Sequence, residues 1–383
     1  MSRTLRQRSR DAYFKGRFRD WVNGTPGSWF EVTRTRTSTC TDFTGSPVVD
    51  SSLTSTQLKG CMIVNGRFLS NYAPSSLRYT EFEDWPIVVS KGTVSNVPLP
   101  APSGWALDLV ARTNPSRPVV TPLTLLQDLI ELPRMLRDLP TLISRKRGIL
   151  TAKGASNAYL STIFGWMPFV EDIKKLLDLS SDIDKRAMEL NRLYSSGGLR
   201  RKITLGGDHQ VGRVEETLSG QGSAVIYIPV SVSVERTMWA TIRWKPTQLV
   251  PHHPGDAKVR QLARQVVSGM TSEGLAKGLW DVLPWTWMVN WFTNVGNYAL
   301  AQSNTVPAQH MSKNFMSQVK VTWTPGPSRP VNVLSDQTSI HCDQTYVQKT
   351  RIPSSGVTPG FQLPFIDSKR LSVLSALAIQ RLK

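Results

Sequence analysis

Five histidines, His209, His252, His253, His310 and His341, are the side chains best able to move a proton or bind a metal near neutral pH. None lies in H-E-x-x-H or another ligand spacing. His252 and His253 precede Pro254 and read as a surface loop that would need further ligands from the fold. Glu171, Asp172 and Asp281 lie beside apolar helical runs with no visible partner for general acid–base work, so capping or solvated roles fit them better. The glycines between Gly269 and Gly278, with Lys277, are in the wrong order for a phosphate loop. No G-x-G-x-x-G follows a strand, and there is no G-x-S-x-G elbow. Gly206-Gly207-Asp208 is similar to a polymerase carboxylate turn but lacks a second acidic motif. Cys40, Cys61 and Cys342 match no zinc spacing, and three thiols cannot all pair internally, so they read as buried or idle. The residues predict a chain that is not an enzyme and takes no metal or cofactor.

What remains is charge. Against 28 Asp+Glu the chain sets 46 Lys+Arg, a formal charge of +18, which favours a polyanionic partner, nucleic acid or an anionic membrane. The longest apolar stretch, 279–300, is interrupted by Asp281, Pro284, Asn290, Asn294 and Asn297; it predicts a buried or interfacial helix without stable membrane insertion. Basic clusters in helical sequence are the candidate RNA-binding residues: Arg145, Lys146, Arg147 and Lys153; Lys174 and Lys175; Lys258, Arg260 and Arg264; Lys369, Arg370, Arg381 and Lys383. They would act through phosphate contacts and counterion release. The first twenty residues carry Arg3, Arg6, Arg8, Arg10, Lys15, Arg17 and Arg19 with no apolar segment behind them, so they do not form a secretory signal. A basic arm laid on phosphates and a plain solvated face both fit.

The elements that must position these residues alternate in kind. With 383 residues, 40% of them hydrophobic, the chain can bury one large or two ordinary cores. Residues 29–40 alternate Thr33, Thr35, Thr37 and Thr39 with Phe30, Val32, Arg34 and Arg36, which is strand-like, and short runs at 61–69, 77–82 and 86–89 continue the pattern. The Pro-rich stretch 97–103 reads as a loop. Residues 121–147 are helical in period, with Pro133 and Pro140 expected to break them into two or three pieces. Residues 156–194 read as one long helix, with Ile173, Leu176, Leu177, Ile183, Ala187, Leu190 and Tyr194 on one face and Gly197-Gly198 as its stop.

From Ile226 to Trp244 the period becomes two over nineteen residues, a strong strand signal, with Pro229 at an edge or bulge. Residues 256–304 return to helix, residues 319–323 to strand, and 365–382 to a last helix. The expected class is α+β: a helical bundle region segregated from an elongated, twisted antiparallel sheet. The regions interleave as β with a basic N-terminal arm (1–120), helix (121–197), a long β-hairpin (198–250), helix (255–304), β (307–352) and a C-terminal helix (362–383). If 200–244 is a hairpin, its turn at Ser219-Gly220-Gln221-Gly222 is remote from the helices, and so would be the turn at 325–330.

One segment carries a resemblance. Leu283-Pro284-Trp285-Thr286-Trp287-Met288-Val289-Asn290-Trp291-Phe292, followed by Asn294-Val295-Gly296, resembles the L-P-W-S-W-L-V-D-W-F and N-x-G signature of the maturation proteins of single-stranded RNA bacteriophages. Thr286, Met288 and Asn290 depart from it. A second element, Phe164-Gly165-Trp166-Met167-Pro168-Phe169-Val170-Glu171-Asp172-Ile173, is similar to that family's F-G-W-x-P motif. Trp280, Trp287 and Trp291, spaced by seven and four, can share one helix face and, with Trp166, are expected to anchor the helical core rather than to stack on bases.

The resemblance implies a virion component embedded in the capsid shell, made in the bacterial host cytoplasm and present as one copy per virion beside the coat protein. It implies that the helical region meets genomic single-stranded RNA. It also implies that the β-region meets the pilin of a retractile host pilus, and that the protein accompanies the RNA into the cell. The two remote turns supply the candidate pilus contacts Ser219, Gln221, Ser328 and Arg329. Other readings of the same residues are a cellular RNA-binding ribonucleoprotein factor, a membrane-active protein working through the Trp-rich helix, and a nuclease.

Overall fold

The computed structural model describes residues 4–44, 52–70, 78–87, 89, 102–143, 152–219, 225–247, 257–283, 295–331, 333–354 and 368–381. The chain is α+β, and its residues cluster into two units interleaved in sequence. One unit comprises residues 1–100, 203–241 and 314–354 and is built of strands. The other comprises 101–202, 242–313 and 355–383; it holds every described helix and the ends of three strands. The first boundary falls at residue 100 and not at 120, because a helix occupies Pro102–Thr113. Proline is well suited to open a helix, its missing N–H being surplus there, so the Pro-rich run expected to be loop through Ser103 ends two residues early.

The β unit is organised by long strands: β1 (Thr4–Val22), β2 (Thr25–Pro26), β3 (Phe30–Thr44), β4 (Leu53–Lys59), β5 (Met62–Ser70), β6 (Arg78–Ile87), β7 (Leu199–Ser219), β8 (Val225–Pro246), β9 (Ala308–Pro325), β10 (Arg329–Val331), β11 (Val333–Asp336), β12 (Ser339–His341) and β13 (Gln344–Ser354). They form one sheet in the order β10-β8-β9-β13-β4-β3-β1-β6-β5-β11, with β7 on β8, β12 on β5 and β2 on β1.

The N-terminal residues are therefore not an arm. From Thr4 they run antiparallel to β3, from Thr4↔Thr44 to Phe18↔Phe30, and in their second half to β6. Strand pairing wins over charge repulsion because the backbone groups of nineteen residues find partners at once, while Arg6, Arg8 and Arg10 remain in solvent and the half-buried Arg17 and Arg19 pair with Glu83 and Glu81.

Residues 325–330 are not a hairpin turn either. β10 and β11 are separated by one residue, yet β10 pairs with β8 at one end of the sheet and β11 with β5 at the other. This crossover joins the two ends, and the sheet folds over its own core. Met62, Val64, Phe68 and Phe82 from one end pack with Ile226, Ile228, Val230, Val232, Val321 and Trp323 from the other. Alternation in β8 produces this directly, since every second residue from Ile226 to Val232 is buried. Pro229 lies just past the three β8 residues paired with β10, and its carbonyl accepts the Gly326 N–H at 2.7 Å. At Gly66 a bulge interrupts β5 against β6 with φ +110°, and a Cβ there would run into the Gln337 carbonyl.

The helical unit contains α1 (Pro102–Thr113), α2 (Pro122–Ile143), α3 (Ala152–Ser161), α4 (Met167–Leu177), α5 (Leu179–Ser195), α6 (Ala257–Val267), α7 (Ser272–Val282), α8 (Val295–Gln302) and α9 (Ser368–Arg381). α2 runs through Pro133 and Pro140 unbroken. Each proline removes one N–H and crowds one carbonyl, so the cost is local and a helix of twenty-two residues continues through both.

The long helix expected over 156–194 is instead divided. A π-helical turn at Thr162–Trp166 separates α3 from α4, and Asp178 separates α4 from α5. Pro168 explains the first division: it cannot donate to residue 164, and the Met167 N–H instead reaches back five residues to the Thr162 carbonyl. At the far end Gly197, at φ +60°, stops α5 as expected. Leu190 and Leu193 of α5 are buried, as are Val259, Ala263, Val266 and Val267 of α6, the helix it packs on. Asn114, after α1, donates to the carbonyls of Leu300 and Ser303 at 2.9 and 2.8 Å and so anchors the end of α8.

Candidate nucleic-acid interface

α6 is the clearest basic face. Its buried stripe of Val259, Ala263, Val266 and Val267 leaves Lys258, Arg260 and Arg264 in solvent, and Arg260 and Arg264 stand one turn apart. Arg260 donates to Asp184 of α5 at 2.9 Å, but both side chains are more than half exposed, so the pair is worth little and yields readily to a phosphate. Lys174 and Lys175 close α4, where the helix dipole favours cations. Lys174 is exposed. Lys175 is turned onto Asp172 at 2.7 Å and lines a cavity of about 890 Å³.

That cavity also holds Asp128, Glu131 and Asp281, with Lys277 on Asp281 and Arg117 at the rim. Burial, then the neighbouring charges of Asp172 and Glu131, push the Asp128 carboxyl above its ordinary range. A polyanion has no place among four carboxylates, so Lys175 belongs to this internal network more than to the outer face. Lys153 lies in α3, Lys369 and Arg370 in the first turn of α9, and Arg381 at its last residue. Arg145, Lys146, Arg147 and Lys383 lie outside the described residues.

Three arginines that the sequence did not single out form a clamp in the same unit. Arg186 and Arg201 converge on one oxygen of Glu189. Arg201 also donates to the Thr113 carbonyl at 3.0 Å and Arg186 to the Arg117 carbonyl at 3.1 Å. Burial weakens the hold of Arg117, Arg186 and Arg201 on their protons, and Glu189 works against this for Arg186 and Arg201. Residues distant in sequence build this cluster, and no local pattern announces it.

The aromatic segment divides. Trp166 ends the π-turn and Trp280 lies in the last turn of α7, both half-buried, whereas Trp287, Trp291 and most of the signature fall outside the described residues. The apolar face expected of α4 is not core: Ile173, Leu176 and Leu177 are exposed, because the break at Asp178 ends the register they would share with Leu190. No helix among the described residues is long and apolar enough to cross a membrane, and no group of three His, Cys, Asp or Glu among them could hold a metal.

Of the β-unit candidates, Arg329 is exposed on β10 opposite Tyr227, and the Ser328 hydroxyl donates to Asp336 at 2.7 Å. Ser219 ends β7, and β7 does pair with β8 as a hairpin; Gln221 lies outside the described residues. No protein-family model matches the chain, and no curated protein matches it.

Proposed function

We propose that the chain is a maturation protein of the single-stranded RNA bacteriophage type. In this reading it is a virion component whose helical unit binds genomic RNA and whose β unit binds the pilin of a host pilus, beside the coat protein in the shell. The observation that carries the RNA half is where the charge resides. The helical unit has 27 Lys+Arg against 14 Asp+Glu, a net +13, while the β unit has 19 against 14, a net +5. A polyanion is drawn to the first of these. The two sequence motifs carry the phage assignment, and a cellular RNA-binding factor would share the RNA half without entering a particle.

The test is filter binding of the full chain to single-stranded RNA across 50 to 200 mM salt, about 0.7 of logarithmic slope being expected per phosphate contact. A steep fall in affinity is expected, shallower in Arg260→Gln/Arg264→Gln; a flat line removes the electrostatic mechanism. For the pilus half, Arg329→Ala is expected to reduce adsorption of particles to piliated cells while leaving RNA packaging intact.

A further inference from the structure

The face of the β unit that buries Phe82 and packs the half-buried Phe18 against it continues past the edge of its core, and there it becomes basic. Residues paired across strands share a face. One row reads Arg8, Cys40, Ser55, Lys349; Arg6 lies opposite Asp42, Arg10 opposite Ser38, Val347 opposite Gln57 and Arg351 opposite Leu53. Five cations from two well-separated strands thus stand with a single carboxylate, Asp42.

That carboxylate is already engaged, by Arg6 through two bonds of 2.9 and 2.6 Å and by Arg8 at 3.3 Å. The Arg6 guanidinium holds it below the usual carboxylate range. Among the described residues neither Arg10 nor Lys349 has an ion-pair partner, and both are exposed. Between the cations lies a concavity of about 390 Å³ floored by Ser38, Ser55 and Gln57. The next cation inward on this face, Arg36, is buried with its Nε and one terminal nitrogen unpaired.

We infer that this face is a second contact for single-stranded nucleic acid, reading the phosphate backbone and not the bases. The spacing supports it. Arg6, Arg8 and Arg10 recur every second residue on an extended strand, about 6.6–6.8 Å apart, a comb matched to successive phosphates along one nucleic-acid strand. Guanidinium forks suit phosphate oxygens, and the serine and glutamine side chains between them are the donors that phosphate contacts use. No aromatic side chain occurs in these rows, so bases have nothing to stack on, and a protein partner would lack the aromatic anchors that dominate its interfaces. The contact adds to the helical-unit reading and does not depend on it.

Two measurements on the full chain with a single-stranded RNA of mixed sequence test this. In the first, Arg10→Gln/Lys349→Gln is expected to make the salt slope shallower by about 1.4, from about 0.7 per lost contact, with an unchanged thermal melt; Arg10→Lys restores its share. An unchanged slope overturns the inference, and is what an acidic protein partner for this face would give. In the second, lysine acetylation is mapped with and without RNA, and Lys349 is expected to be protected. Protection of Lys174 and Lys258 without Lys349 overturns the inference while sparing the helical-unit reading. The converse pattern removes that reading and leaves the inference standing.

Discussion

Trp323 is fully buried in the core of the β unit, packed where the two ends of the sheet meet, and its indole N–H has no hydrogen-bond partner. Two opposing terms act on this residue, and substitutions separate them. Trp323→Ala removes the whole ring and leaves a cavity, which costs about 3–5 kcal/mol for a buried aromatic. Trp323→Phe keeps most of the apolar contact and loses about 1–2 kcal/mol of burial, on the scale of about 0.8 per methylene-sized group. It also removes a buried, unsatisfied donor, whose desolvation costs about 1–3 kcal/mol. The terms nearly cancel, so Trp323→Phe is expected within about 1 kcal/mol of the native chain while Trp323→Ala falls by several. Urea unfolding followed by the β-sheet circular-dichroism band reads both, a shift in midpoint at constant slope reporting stability alone. Equal losses in the two variants would refute the reasoning, because they would mean that the indole nitrogen is satisfied and the ring's full size is needed.

Four further outcomes follow from the same structure. Glu189→Gln deprives Arg186 and Arg201 of their shared counter-charge; because the carboxylate side chain is 40% exposed, the expected cost is about 1–2 kcal/mol rather than the 3–5 of a fully buried pair, read as a lowered Tm that Arg201→Met partly restores. Gly66→Ala places a Cβ against the Gln337 carbonyl at positive φ, and should lower Tm more than the same change at the open, exposed Gly212. Burial and then Lys313 hold the His310 ring below its ordinary value of 6.5, so the unfolded chain takes up the proton first; stability present above that pH is lost as pH falls through it, and His310→Gln should flatten this part of the pH profile of unfolding. Cys342 is exposed and Cys61 is buried with its thiol pushed up by desolvation, so a thiol reagent should label Cys342 in the native chain and Cys61 only on unfolding.

Much of the architecture was legible in local pattern. The alternation from Ile226 to Val232 specifies which face of β8 is buried whatever it packs on, since the side-chain period of a strand is two. The stripe of α6 does the same at a helical period and thereby places Arg260 and Arg264 outside. Other expectations failed where a local rule met a partner the sequence could not show. Arginines in β1 looked like a loose arm because charge is visible in sequence and the waiting edges of β3 and β6 are not. Pro133 and Pro140 looked like breaks because the penalty of proline is local, while the rest of the helix that absorbs it is not.

Residue types, period and net charge by themselves determined an α+β chain with a basic helical part. Tertiary structure alone decided that residues 329–336 join the two ends of one folded sheet, and that Glu189 gathers arginines from separate segments. It alone set Arg8, Arg10 and Lys349 on one face across β1, β3, β4 and β13. The physical reason is range: propensity and periodicity act within a few residues, whereas strand register and ion pairing join residues hundreds of positions apart, through contacts that exist only once the backbone has closed on itself.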